Sequence, residues 1–353
     1  MKKLFTILAV AATLVSCAKE DVVREAAREA IGFDNAFVEN STRSVNDPSW
    51  SNGNLFHNFA VYGYVENASL FNNVVVSGSA LNGNWTYTNT QYWIAGAKYN
   101  FAAIAPAANG ADGVFTVAKD GDDYVGTTVL PFTNTGTNDV LYAQNAQVVG
   151  ATNGNAKVAF TFRHILSKVK FSFENGYNAT NATIKVTDIK INNAYESATV
   201  TLGENSTVWS AQAQDTTNPL VLDFGAATDD QSTTNAKENT VVAYANNEIY
   251  ESQNERFLIP GAVEGGYNVT FNVVLLVSGT EIDTYEHSVT LNLTPVAGNS
   301  YDVAAEITAA NIDPEHSQEP IEFTVKTISD WTNNNPNMDV PANQTPAPAP
   351  DQN

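Results

Sequence analysis

The alternation of apolar and polar residues along short segments is the feature that most constrains how this chain folds. Residues 158–162 (Val-Ala-Phe-Thr-Phe) and 169–173 (Val-Lys-Phe-Ser-Phe) alternate at a period of two, as in a β-strand with one buried face. Residues 184–191 do the same, with a slip at Asp188 that a β-bulge accommodates. Asn-Gly and Asp-Gly pairs, which favour tight turns, separate such segments. Because no long helices intervene, we expect an all-β fold of antiparallel sandwiches.

The size of the chain predicts two domains. Its 353 residues are more than one hydrophobic core usually holds, and the hydrophobic fraction of 43% suffices for two cores. The boundary is expected near residue 165, where one alternating run ends and another begins. We therefore expect one β-sandwich over residues 44–165 and a second over residues 166–331. Residues 332–353, mostly Asn, Pro, Gln and Ala, are expected to be disordered or extended.

The N-terminus has the pattern of a bacterial lipoprotein signal over residues 1–16. Lys2 and Lys3 precede a short apolar run, Leu4 to Leu14, and Leu14-Val15-Ser16-Cys17 closes it with a small residue before a cysteine. Crossing a bilayer takes roughly 20 apolar residues, so this shorter run is expected to be removed. Cys17 is the only cysteine, and we expect its thiol to carry the lipid; an ordinary signal peptide with a chance cysteine is the alternative. The protein is therefore expected to be exported and lipid-anchored, without disulfides.

The charge balance disfavours one class of partner. The chain has 38 acidic and 17 basic residues, a formal net charge of -21. Such a surface repels phosphate backbones, so we expect no nucleic-acid partner. It suits a soluble surface protein that does not adhere to its neighbours.

Motifs of enzymes and metal sites are absent from the sequence. The four histidines, at positions 57, 164, 287 and 316, lack the spacing of metal ligands, and His164 is interpreted as a packed or capping residue. No Gly-x-Ser-x-Gly elbow, P-loop or dinucleotide fingerprint occurs. We expect no enzymatic activity, no cofactor and no metal site.

Two weaker patterns leave alternatives open. Residues 120–123 (Asp-Gly-Asp-Asp) could offer oxygen ligands to calcium, but they lack the spacing and terminal Glu of a calcium loop, so a plain acidic turn is favoured. The aromatic residues Trp85, Tyr87, Tyr92 and Trp93 either fill the core or form a platform for sugars. A surface-anchored lipoprotein that binds glycans or proteins without polymerising is therefore the alternative function.

An extended segment near the N-terminus could serve assembly. Ile31, Phe33 and Phe37 lie on one face of this segment. It is set between the predicted lipid tether and Arg43, which is expected to be exposed.

A second extended segment lies near the C-terminus, where Ile321, Phe323 and Val325 alternate with polar residues. An extended strand with large apolar side chains at alternate positions is what β-strand addition to another subunit requires. The alternative is that this segment is the last strand of its own sandwich, and the residues alone leave both readings open.

Several short motifs follow one another along the chain. They are Ile31-x-Phe33, Thr42-Arg43, Leu55-x-x-x-Phe59-x-Val61-x-Gly63, residues 139–143 (Asp-Val-Leu-Tyr-Ala), residues 162–169 (Phe-Arg-His-Ile-Leu-Ser-Lys-Val), residues 257–260 (Phe-Leu-Ile-Pro), and Ile321-x-Phe323-x-Val325 with Trp331. In this order and spacing the chain, from the lipoprotein signal to Trp331, resembles the fimbrillin family of Bacteroidetes type V pili. That family includes the major and minor fimbrial subunits and the Mfa-like proteins.

The resemblance implies two transthyretin-like antiparallel β-sandwich domains and a removable N-terminal propeptide. Family members travel to the outer membrane as lipoproteins, where an arginine-specific protease cuts in the loop past the first strand. Carried onto this sequence, the cut falls between Arg43 and Ser44. It removes residues 17–43, including the strand with Ile31, Phe33 and Phe37.

The resemblance further implies assembly by donor-strand exchange. Removal of the first strand opens a groove in the N-terminal domain, and residues 321–331 of the next subunit fill it. The donor residues are Ile321, Phe323, Val325, Ile328 and Trp331. The expected partners are therefore other fimbrial subunits bound head-to-tail, the protease, and the outer membrane before processing, with adhesion as the outcome.

The C-terminal tail departs from the family pattern. Stalk subunits usually stop within a few residues of the donor strand, whereas this chain continues over residues 332–353. The tail is either a spacer or the mark of an accessory or tip subunit.

Overall fold

The computed structural model describes residues 29–38, 57–78, 85–151, 157–228, 245, 247–312 and 321–328. Cys17, the cleavage position Arg43–Ser44 and Trp331 lie outside these residues, as do the side chains of Phe37 and Ile328. The roles predicted for them stay predictions.

The described residues form twenty β-strands, numbered here in chain order. The first eight are β1 Phe33–Val38, β2 Asn58–Val65, β3 Ala68–Ser77, β4 Lys98–Ala105, β5 Val114–Asp120, β6 Asp123–Thr133, β7 Leu141–Val149 and β8 Val158–His164. The next six are β9 Ser167–Asn175, β10 Ala182–Ala194, β11 Ser197–Gly203, β12 Ser206–Ala213, β13 Leu220–Gly225 and β14 Ala227–Thr228. The last six are β15 Ile249–Ser252, β16 Arg256–Leu258, β17 Tyr267–Val277, β18 Thr280–Leu291, β19 Ser300–Ile307 and β20 Thr324–Ile328.

Helical structure among the described residues is limited to two single turns. These are a 3₁₀ turn at Ala107–Gly110 and the helix α1 at Ala309–Ile312. The prediction of an all-β protein is therefore confirmed. None of the described helices has the length and apolar character to span a membrane.

The strands form four sheets. Sheet A has the order β1-β8-β7-β4-β2-β3, sheet B the order β12-β11-β6-β5, and sheet C the order β13-β10-β17-β18. Sheet D has the order β14-β15-β9-β19-β20, and β16 also pairs with β9. Pairing is antiparallel throughout except for β1 with β8 and β9 with β19, which are parallel. Parallel neighbours need a long connection between them, and in both cases many other strands intervene along the chain.

The slip in the alternation at Asp188 is a β-bulge, as predicted. The register between β10 and β17 shifts between Thr187 and Lys190, and Asp188 has a φ of 56°. The bulge lets the buried side chains on both sides of it face the same core.

Within the part of the chain that the structure describes, the hydrophobic core has three parts. The first lies on one face of sheet A and is rich in aromatic rings, including Phe59, Phe71, Phe101 and Phe160. The second combines residues of sheets A and B, and the third combines residues of sheets C and D.

Sheet B joins strands from both sides of residue 165. β6 pairs with β11 without a register shift, from Thr133 opposite Ser197 to Thr128 opposite Leu202. The division into sandwiches over residues 44–165 and 166–331, and their transthyretin-like topology, stay predictions. Two such units would share this sheet.

Candidate assembly site

The segment 29–33 lies in a groove and is hydrogen-bonded along both of its flanks. On one flank, Val158 N donates to Gly32 O at 2.8 Å, and β1 continues the pairing along β8. On the other flank, Ile31 N donates to Gln91 O at 2.8 Å. Backbone bonds on two sides are what a strand inside a sheet makes, so the groove accepts an extended segment.

Tyr87 fixes the segment from a third direction. Its hydroxyl donates to the carbonyl oxygen of Ile31 at 2.7 Å and accepts from Gln91 N at 3.2 Å. Burial raises the pKa of Tyr87, so the hydroxyl keeps its proton at neutral pH and remains a donor.

The floor of the groove is a cluster of aromatic rings around Phe33, whose side chain is 1% exposed. The Phe33 ring stacks on Phe160 at 5.8 Å and meets Phe71 edge-on at 5.7 Å. Gly63 makes room for this cluster, because a Cβ there would lie 2.8 Å from Cδ2 of Phe71. Ile31 is equally buried in the same cluster.

The predicted donor segment lies at an edge of its own sheet in the single chain. β20 pairs antiparallel with β19 and is the outermost strand of sheet D. Ile321 is buried, and the Phe323 ring lies 5.6 Å from Phe171 and 6.0 Å from Phe271. Val325 packs against the same core part. In the single chain, this segment is therefore the edge strand of its own sheet, as the alternative in the sequence analysis expected.

The two predicted assembly segments are not brought together within the chain. Ile31 and Phe33 belong to the core part on sheet A, whereas Ile321, Phe323 and Val325 belong to the core part between sheets C and D.

Arg163, which lies in the motif of residues 162–169, forms a clamp whose role the sequence did not indicate. From β8, its Nη2 donates to the carbonyl oxygens of Gly203 at 2.8 Å and Ser206 at 2.7 Å. Its Nη1 donates to Glu204 O at 2.9 Å, and the guanidinium lies 5.0 Å from the centroid of the Tyr142 ring. The strand that carries β1 is thereby tied to the β11–β12 turn.

A buried acid–base pair adjoins this clamp. Nδ1 of His164 is hydrogen-bonded to Oδ2 of Asp139, and both side chains are buried. The other oxygen of Asp139 accepts from Val140 N at 2.8 Å. His164 is thus a packed residue. Among the described residues, no group of three or more His, Cys, Asp or Glu could hold a metal ion.

The remaining sequence candidates have structural roles. Trp85 and Trp93 are buried in the core part on sheet A, and Tyr87 packs against it; of the four aromatics, Tyr92 is exposed. Asp120–Asp123 form the tip of the β5–β6 hairpin, where Asp123 Oδ1 accepts from Lys98 Nζ at 2.7 Å.

A comparison with models of protein families gives a match over most of the chain. A family model described as fimbrillin-like matches residues 42–331, a range that begins after β1 and ends at Trp331. No curated protein matches the chain.

Several solved structures share a low overall likeness with the chain. A candidate cell adhesion protein from Bacteroides uniformis has 18% identity and a TM-score of 0.46, with 86% of this chain and 99% of that chain covered. One from Bacteroides ovatus has 15% identity and a TM-score of 0.49, with 86% of this chain and 98% of that chain covered. A fimbrial assembly protein from Parabacteroides distasonis has 10% identity and a TM-score of 0.38, with 85% of this chain and 97% of that chain covered.

Proposed function

The chain belongs to the fimbrillin-like family, and on that premise we propose that it is a structural subunit of cell-surface fimbriae that polymerises by donor-strand exchange. A protease cuts after Arg43, the strand with Ile31 and Phe33 leaves, and residues 321–331 of another subunit take its place. Adhesion is the outcome. The observation that carries the proposal is the groove, which holds residues 29–33 by backbone bonds on both flanks.

The geometry of the groove supports exchange of one strand for another. Its backbone donors and acceptors bind main chain, so they accept any extended segment in register. Selectivity comes from the aromatic cluster, which needs large apolar side chains at alternate positions. Residues 321–325 present Ile321, Phe323 and Val325 in that pattern.

Energetics favour a filled groove. Ile31 and Phe33 are each 1% exposed, and burying an apolar side chain of this size is worth about 1.5–3 kcal/mol. An emptied groove also leaves the edge of β8 without its neighbour. A donor strand that buries apolar side chains in the groove again and pairs with the free edge of β8 is strongly bound and slow to leave.

The location of the two segments supports a linear polymer. The groove lies on sheet A and the donor at the edge of sheet D, so the contact is head-to-tail. Head-to-tail contacts that do not close into a ring extend into filaments.

The family match is consistent with this processing scheme, because its range begins at Thr42 and omits β1. In the proposal, Cys17 carries the lipid that anchors the precursor to the outer membrane. Residues 44–165 and 166–331 form the two transthyretin-like sandwiches, and residues 332–353 extend beyond the donor strand.

The N-terminus of protein taken from the cell surface tests the proposal. Intact mass is expected to give a chain that begins at Ser44, and gel electrophoresis in SDS is expected to give a ladder of polymers. The Arg43→Ala variant should keep the propeptide and stay monomeric, whereas the control Arg28→Ala should behave as wild type. A wild-type chain that still begins at acylated Cys17, or that stays monomeric after cleavage, would contradict the proposal.

The donor segment is tested separately by Phe323→Asp with Val325→Asp. Polymers should be lost while circular dichroism shows a folded monomer, and the single variant Val325→Asp should weaken polymerisation if the pair does not fold. Thr324→Asp, on the exposed face of the same strand, is the matched control. Polymers that survive in the folded Phe323/Val325 double variant would show that another segment is the donor.

A further inference from the structure

The central part of the outer face of sheet B carries no ionisable side chain, whereas Asp120 and Asp123 lie on the same face at the tip of the β5–β6 hairpin. Phe115, Leu130 and Val200 on its inner face are buried against sheet A. The alternate positions along β5, β6, β11 and β12, within residues 114–118, 125–133, 197–201 and 206–210, point outward. Valine, threonine, serine, alanine and proline occupy all of these outward positions.

A row of exposed valines crosses this face. Val114 on β5 lies opposite Val129 on β6. Val129 in turn lies opposite Thr201 on β11, and Thr201 lies opposite Val208 on β12. The exposed fractions of the three valines are 58%, 38% and 58%. Val125, also exposed, extends the patch along β6. Apolar side chains so concentrated on one flat surface mark an interaction site.

Sheets C and D, in contrast, carry ion pairs. β10 and β18 of sheet C are bridged by Lys185 and Glu281, 2.9 Å apart, and sheet D has an ion pair between Lys170 and Glu251. The chain as a whole carries a net charge of -21, so a neutral four-stranded face is a local departure from its composition.

We propose that the outer face of sheet B binds the same face of a second copy of this chain, related by a two-fold axis. Two molecules with the same large negative charge repel one another at long range. They make close contact most readily where neither presents a carboxylate, and the central part of the outer face of sheet B meets this condition. A two-fold axis along the strands would set Val114 of one copy over Val208 of the other, so the row is complementary to itself.

The size of the face predicts weak binding. Four strands about 4.8 Å apart, with about 3.3 Å per residue over seven residues, give roughly 400 Å² per copy. Stable dimers bury about 800 Å² per partner, so the contact between single subunits is expected to be transient. Acidic residues at the strand ends, Asp120, Asp123 and Glu204, oppose it further. Subunits repeated along two filaments would multiply the contact and hold the filaments side by side.

Sedimentation velocity of a chain that begins at Ala18 tests the proposal. This chain keeps every described residue, and with β1 in place the proposed strand exchange cannot occur, so the result does not depend on the proposed polymerisation. A reversible monomer–dimer equilibrium is expected at concentrations of order 10⁻⁴ M. The dimer fraction should rise with added salt, because screening reduces the repulsion between like charges. An interface built from ion pairs would weaken with salt instead.

Variants locate the contact. Replacing Val114, Val129 and Val208 by Glu should weaken association at least tenfold. The near-isosteric pair Val114→Thr and Val208→Thr should weaken it in the same direction if the triple variant does not fold. Val221→Glu with Ile282→Glu, at exposed positions of sheet C, is the matched control and should associate as wild type does. A wild-type chain that stays monomeric at millimolar concentration, a dimer that dissociates with salt, or one that the valine variants leave intact would overturn the proposal.

Discussion

The ring of Phe33 stacks on the ring of Phe160, with centroids 5.8 Å apart and planes 14° apart. The two residues lie on neighbouring parallel strands, β1 and β8. In the proposed processing, Phe33 leaves and Phe160 stays. The Phe160 ring is therefore the surface that an incoming donor side chain has to cover.

Replacing Phe33 should strongly destabilise the uncut chain. Phe33→Ala removes a fully buried ring from an aromatic cluster, which costs about 3–5 kcal/mol. Chemical denaturation of a chain that retains β1 measures the loss. The exposed Ile282→Ala should change stability by less than about 0.5 kcal/mol. A loss below about 1 kcal/mol for Phe33→Ala would show that the ring does not pack as described.

Phe323 should contribute to the stability of the single chain through its own sheet. Its ring contacts Phe171 and Phe271 but is partly exposed, so Phe323→Ala is expected to cost about 2–3 kcal/mol. The unfolding midpoint of the monomer measures this change. Thr324→Ala, whose side chain is exposed on the other face of β20, serves as the control. Equal stability of the two variants would mean that β20 does not pack on sheet D in the monomer.

Arg163 should act through its forked geometry as well as its charge. Arg163→Ala removes charge-assisted hydrogen bonds to the carbonyl oxygens of Gly203 and Ser206, with an expected cost of about 2–3 kcal/mol. Arg163→Lys should recover only part of this, because an ammonium group lacks the planar fork. Urea unfolding gives the two values, and cleavage at residues 203–206 by a broad-specificity protease should speed up in both variants. The exposed Lys119→Ala is the control, and full rescue by Lys would contradict the clamp.

His287 should make stability depend on pH. Its ring is buried, stacks on Phe271 at 5.3 Å, and its Nε2 has no hydrogen-bond partner among the described residues. Burial lowers the pKa of His287, so the unfolded chain binds the proton more readily. The stability from neutral His287 is complete above the ordinary pKa of about 6.5 and declines as pH falls below it.

Urea midpoints at pH 7.5 and 5.5 measure the contribution of His287. Wild type should lose more stability on acidification than His287→Phe does, because Phe has no proton to bind. The exposed His57→Phe should keep the wild-type slope. Identical slopes for wild type and His287→Phe would exclude a role for this residue.

Local pattern was sufficient to predict β8, β9, β10 and the bulge at Asp188, because burial of one sheet face imposes a period of two on the sequence. The pairing of β6 with β11 was not predictable. Alternation records which face of a strand is buried but not which strand lies beside it, and these two are far apart along the chain.

For the candidate site, likewise, the buried residues could be predicted but their partners could not. The apolar residues Ile31 and Phe33 pointed to a buried strand, and burial of both is observed. Their parallel pairing with β8 and the bonds to Gln91 involve backbone atoms, which leave no residue signature. The acceptors of Arg163 are likewise carbonyl oxygens, so the motif of residues 162–169 does not indicate what this side chain binds.

The parallel pairing of β9 with β19 has a mechanical consequence for a subunit pulled from both ends. β8, which lines the groove, continues into β9 through Ile165 and Leu166 alone. β9 pairs with β19 from Lys168 opposite Ser300 to Asn175 opposite Ile307, and in the proposed polymer the chain continues from β19 into the donor segment, which lies in the groove of the next subunit. Tension entering at the groove would thus pass lengthwise along these strands and load the whole β9–β19 ladder in shear, with its hydrogen bonds sharing the force instead of breaking one after another.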